Sequence, residues 1–90
     1  MSHKISNQDK VKLIRKGNQL LNENKIEPAT KIFWLTDYRD GLIRIGEILC
    51  KQNQPFKAML YFQKAKSQKH LEELFGRMLW ALSQWIKKES

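Results

Sequence analysis

The stretch LIRKGNQLL at residues 13–21 returns as LIRIGEILC at residues 42–50, and the match runs on well past both segments. Leu13 corresponds to Leu42, Arg15 to Arg44, Gly17 to Gly46, Leu20 to Leu49, Asn24 to Asn53, Ala29 to Ala58 and Phe33 to Phe62, always at an offset of 29 residues. A constant offset that keeps small residues small and aromatic residues aromatic marks a duplicated supersecondary unit.

Inside each copy the apolar residues recur at spacings of three and four. Leu13, Gly17, Leu20 and Leu21 do so in the first, and Leu42, Ile45, Gly46, Leu49 and Cys50 in the second, which is one face of an α-helix. A polar run then interrupts each copy, NENKIEP or KQNQP. Its asparagine suits the left-handed backbone that ends a helix, and Pro28 or Pro55 suits the first turn of the next. Helical spacing resumes through Ala29, Ile32 and Phe33, and through Ala58, Tyr61, Phe62 and Ala65. Each copy is therefore expected to be an antiparallel helical hairpin, one over about residues 8–37 and the other over about 41–68.

A final segment over about residues 69–88 reads as one longer helix, with Leu71, Leu74, Phe75, Met78, Leu79, Leu82 and Ile86 on its apolar side. It is expected to cap the second hairpin, and Gly76, 30 residues after Gly46, is the natural candidate for the start of a third copy. The fold class that follows is all-α, with five helices in a single domain. Glycine in a helix interior costs about 1 kcal/mol relative to alanine. Gly17 and Gly46 are thus expected where another helix backbone crosses closely, with Ala29 and Ala58 opposite them.

Ninety residues leave room for one core only. The opening MSHKISNQDK lacks the continuous apolar core of a secretory signal, and no apolar run is long enough to span a bilayer, so the expected location is cytoplasmic. Cys50 is the sole cysteine, which excludes an internal disulfide and a cysteine-based zinc site and makes a small packing residue the natural reading. The net charge of +8 favours acidic partners. No acid lies between Glu47 and Glu72, whereas Lys51, Lys57, Lys64, Lys66 and Lys69 do, so one region of the surface is expected to be consistently positive.

The second copy, LIRIGEILCKQNQPFKAMLYFQKA, resembles the tetratricopeptide repeat, with Gly46, Ala58, Phe62 and Ala65 at that family's small, small, aromatic and small positions. The first copy keeps Gly17, Ala29 and Phe33 but has Thr36 where alanine is usual. The period of 29 is shorter than the family's, which is about 34. The resemblance implies a right-handed α-α superhelix. It also implies a protein-interaction module, an adaptor or small chaperone-like scaffold, holding a partner peptide or helix in the groove of the first helices. Mapped onto this chain, the groove face presents Arg15, Asn18, Arg44, Glu47 and Arg77, and the positive charge favours an acidic partner segment. Asn18 matches a carboxylate-clamping position of the family, but the neighbouring Ile14 stands where the clamp needs lysine.

Catalytic signals are absent from the sequence: His3 and His70 have no motif around them, and neither a phosphate loop, a metal-ligand spacing nor a nucleophile elbow is present. A non-enzymatic chain needing no cofactor and no metal is expected. Nucleic acid is the alternative partner, with the lysines on phosphates and exposed aromatics on bases. Trp34, Tyr38, Trp80 and Trp85 are the aromatics free for that role, or for docking on a protein surface, including a second copy in a homodimer.

Overall fold

The computed structural model describes residues 5–89, so His3 lies outside the described residues. It contains five α-helices: α1 (Asn7–Asn22), α2 (Ile26–Thr36), α3 (Arg39–Lys51), α4 (Pro55–Lys64) and α5 (Gln68–Glu89). No strand occurs among the described residues, and none of their helices is long and apolar enough to cross a membrane.

Local chemistry sets the helix ends. Ser6 caps α1, its Oγ accepting from the Asp9 amide at 3.2 Å. After α1 the chain turns through Asn24 (φ 64°) and after α3 through Asn53 (φ 61°), the left-handed residues expected of the two polar runs. The Lys25 amide then donates to the Leu20 carbonyl at 2.8 Å, and the Gln54 amide to the Leu49 carbonyl at 2.9 Å. The second helices close in the same way at positions the sequence did not flag. Asp37 (φ 52°) and Lys66 (φ 54°) are left-handed, and Tyr38 and Ser67 donate to the carbonyls of Phe33 and Phe62 at 3.1 and 3.0 Å. These four turns fall into two pairs, each 29 residues apart, so the duplication is one of backbone as well as of residue type.

Packing follows the same register. α1 lies against α2 and α3 against α4, and α3 and α5 each pack on the helix before them. A Cβ added to Gly17 would stand 2.6 Å from Cε1 of Phe33, and one added to Gly46 would overlap Cε1 of Phe62. The glycines therefore make room for a phenylalanine ring edge, which corrects the expectation of a backbone crossing; Ala29 and Ala58 are fully buried alongside. Gly41 covers Phe33 from the next helix, because a Cβ there would meet the ring at 2.5 Å. In the second hairpin the corresponding position is His70, whose ring stacks on Phe62 at 5.0 Å between centroids. One cluster, with Phe33, Leu42 and Ile45 at its centre, joins α1, α2 and α3 and takes in Ala65 at the end of α4, and a second, with Ala58, Phe62 and Leu74, joins α3, α4 and α5. Thr36, which corresponds to Ala65 of the second copy, is buried with its hydroxyl satisfied, donating to the Ile32 carbonyl at 2.8 Å.

The last helix departs from expectation in two ways. Gly76 is exposed with nothing near its missing side chain, so it is not the counterpart of Gly46. The offset of 29 holds instead: His70 follows Gly41, Leu71 follows Leu42 and Phe75 follows Gly46. Of the apolar side of α5, Leu71, Leu74 and Met78 pack on the second hairpin, whereas Phe75, Leu79, Leu82 and Ile86 are each at least half exposed. α5 thus has the register of a first helix, with an uncovered side where α2 covers α1 and α4 covers α3.

Candidate functional site

Two surfaces bear on function, a cleft between α3 and α5 and the uncovered side of α5. The cleft holds about 270 Å³. Glu47, Cys50 and Lys51 line it from α3, His70, Glu73 and Arg77 from α5, with Phe62 and Leu74 beneath. His70 braces the junction. Its Nδ1 shares a 2.6 Å hydrogen bond with the Ser67 hydroxyl, the imidazole tautomer deciding which donates, and its Nε2 lies 3.8 Å from Oε2 of Glu47.

A serine, a histidine and a glutamate in contact invite comparison with a hydrolytic triad, but Ser67 is 1% exposed and a carbonyl substrate cannot reach its oxygen. Cys50 is no better placed to attack. Burial pushes its thiol pKa up, Glu47 pushes the same way, and the nearby Arg77 charge opposes both. What the cleft offers is mixed charge on a half-open apolar floor. Glu47 and Glu73 share it with Lys51 and Arg77, so the cleft carries both signs of charge.

The residues nominated from the sequence separate in space. Glu47 and Arg77 meet in this cleft. Arg15 lines a shallow surface of α1 with Val11 and Lys12, Asn18 is half-buried on α1, and Arg44 is exposed on α3. Neither Arg15 nor Arg44 makes a hydrogen bond or ion pair among the described residues. Tyr38 is half-buried with its ring 5.6 Å from that of Phe33. Trp34 meets Tyr61 edge-on at 5.7 Å, with Nζ of Lys64 4.7 Å from its ring centroid. Lys64 also pairs with Asp37 at 3.0 Å, so one cation of the acid-free interval is spent inside the fold, together with Trp34, in stacking one hairpin on the next. Arg39 adds to that junction by donating from Nε to the Ala65 carbonyl at 3.2 Å. Trp80 and Trp85 remain exposed on α5.

The uncovered side of α5 is the larger apolar feature. Of eleven large apolar side chains exposed among the described residues, eight lie on α4 and α5, at one end of the repeat stack. Phe75, Leu79, Leu82 and Ile86 follow one another at spacings of four, three and four, the seam spacing of a helix that pairs with another helix. Phe56, the most exposed at 75%, and Leu60 lie on α4. Reading the sequence for a buried face on α5 concealed this surface. Carrying the 29-residue offset on to Phe75 would have pointed to it, because a phenylalanine there takes the space that Gly17 and Gly46 leave for the ring of a second helix.

No family model matches the chain, and no solved structure matches it. The chain is similar to a protein of Treponema pallidum (strain Nichols) described as "Uncharacterized protein", with 31% identity over 74 residues that cover 82% of this chain and 71% of that protein.

Proposed function

We propose, from the premise that the chain belongs to the same family as that Treponema pallidum protein, that it is a non-catalytic protein-interaction module built on tetratricopeptide-like hairpins. It serves as an adaptor or small chaperone-like scaffold and takes a helix of a partner protein onto α5. One observation carries this reading: α5 repeats the register of α1 and α3, yet the side that those helices bury against α2 and α4 is uncovered and apolar. A contiguous apolar surface of this kind on a small domain is the usual mark of a protein contact. A helix laid along apolar anchors at these spacings is a recurrent mode of recognition. The nucleic-acid alternative has weaker support, since Trp34 and Tyr38 are engaged in packing and Lys64 is paired.

Affinity capture from the native cell tests the reading, with the wild-type chain and a Leu79→Glu, Leu82→Glu variant side by side and nuclease added to both. The expected result is a polypeptide that survives nuclease on the wild type and is lost from the folded variant. Capture that disappears with nuclease, or an identical set of polypeptides on both chains, would overturn it.

A further inference from the structure

We propose that the helix received by α5 is the converse of this chain's own second helices, small where both are aromatic and acidic where α4 carries Lys64. The inference rests on the reading that α5 takes a partner helix, and it specifies that helix's chemistry.

Two contacts define how a second helix sits in this fold. The first is with its own first helix, where Phe33 fills the space left by Gly17 and Phe62 the space left by Gly46. The second is with the preceding second helix, where Lys64 of α4 reaches Asp37 at the end of α2. Advancing both contacts by 29 residues gives the surroundings of a helix seated on α5 and stacked beside α4. The glycine position becomes Phe75. The Asp37 position becomes Lys66, with the same left-handed backbone, φ 52° in one and 54° in the other.

Both changes reverse the requirement. A phenylalanine on the incoming helix would put two rings where the existing hairpins hold one, so the seam calls for glycine or alanine there. A lysine at the position of Lys64 would meet Lys66 across a helix end, so an aspartate or glutamate is needed instead. The outer side of α4 is suited to such a neighbour. Phe56, Leu60 and Gln63 fall at spacings of four and three on one side, Gln63 corresponding to the Trp34 of α2 that touches α4. The incoming helix would therefore lie between apolar residues of α4 and of α5. The same reversal disfavours an α4 donated by a second copy, which brings both the phenylalanine and the lysine. The stack is closed to further copies of its own unit and open to a partner helix of opposite size and charge.

Two side-chain-bridged helical peptides spanning residues 55–66 serve as probes, one unaltered and one carrying Phe62→Ala with Lys64→Glu. Their affinities for the full chain are read by fluorescence anisotropy. The altered peptide is expected to bind the wild type at least about tenfold more tightly, the factor that corresponds to relieving one ring overlap and one like-charge contact. On a chain carrying Phe75→Gly and Lys66→Asp the preference is expected to reverse. Should that variant lose its helical circular dichroism, Phe75→Ala with Lys66→Asp replaces it, and the comparison on wild type decides alone if both fail. Equal affinities, a preference of the wild type for the unaltered peptide, or binding of neither peptide would overturn the inference. The capture experiment judges the wider proposal independently, because a partner lost from the Leu79→Glu, Leu82→Glu variant can coexist with any of these three results.

Discussion

An alanine at position 46 and an alanine at position 76 are the same chemical change in helices of the same chain, with opposite expected consequences. Gly46 has the edge of the Phe62 ring against it, so Gly46→Ala is expected to destabilise by about 1–3 kcal/mol through overpacking. Gly76 has no neighbour, so Gly76→Ala is expected to stabilise by about 0.5–1 kcal/mol from helix propensity alone. Thermal melting reads both, because about 1 kcal/mol moves the midpoint of a domain this size by roughly 4–8 °C. Shifts of the same sign in the two variants would contradict the packing described. The importance of Gly17 and Gly46 was legible from their recurrence, but what faces them was not, since spacing cannot distinguish a backbone crossing from a ring edge. Asp37 and Lys66 show the converse limit. Lysine does not announce a left-handed turn in the way asparagine or aspartate can, and only the repeat could have linked Lys66 to Asp37.

At the scale of the element, the hairpins were readable because propensity, turn chemistry and apolar spacing agree in both copies. α5 was readable as a helix but not as a surface. Its apolar arc fits a buried face, and amphipathicity alone does not say how much of that face finds a partner in the same chain. Stability separates the two parts. Leu74 is 5% exposed between α5 and the second hairpin, and Leu74→Ala is expected to cost about 2–5 kcal/mol. The Leu79→Glu, Leu82→Glu pair removes no buried contact and is expected to leave the melting midpoint within a few degrees of wild type. A large loss from that pair would mean that this side of α5 is already covered within the folded chain. The nominated cleft residues divided for a related reason. Glu47 and Arg77 meet because α5 docks beside α3, whereas Arg15 sits one hairpin further back on α1, a separation that one-dimensional spacing does not express.

At the scale of the whole molecule, the substantial helix contacts among the described residues run only between neighbours in the chain, α1 with α2, α2 with α3, α3 with α4 and α4 with α5. The body is correspondingly long, 57 by 28 by 22 Å. Such an arrangement has no single centre from which all helices draw stability equally. Native-state hydrogen exchange is expected to be slowest in α3, which carries the fully buried Leu42 and Ile45 and packs on both sides, and fastest in α5 beyond Met78. Uniform protection across α3 and the distal turns of α5 would contradict this. Net charge, visible in the composition, was the weakest guide at this scale, because at the junction between hairpins Lys64 pairs with Asp37 and Arg39 donates to a backbone carbonyl. The neighbour-only pattern also has a kinetic meaning. Native pairings join segments close along the chain, the relative contact order is low, and collapse need close only short loops, which places folding in the microsecond-to-millisecond range typical of local helical topologies. The protein can then assemble progressively as it leaves the ribosome, each helix packing on the one made before it.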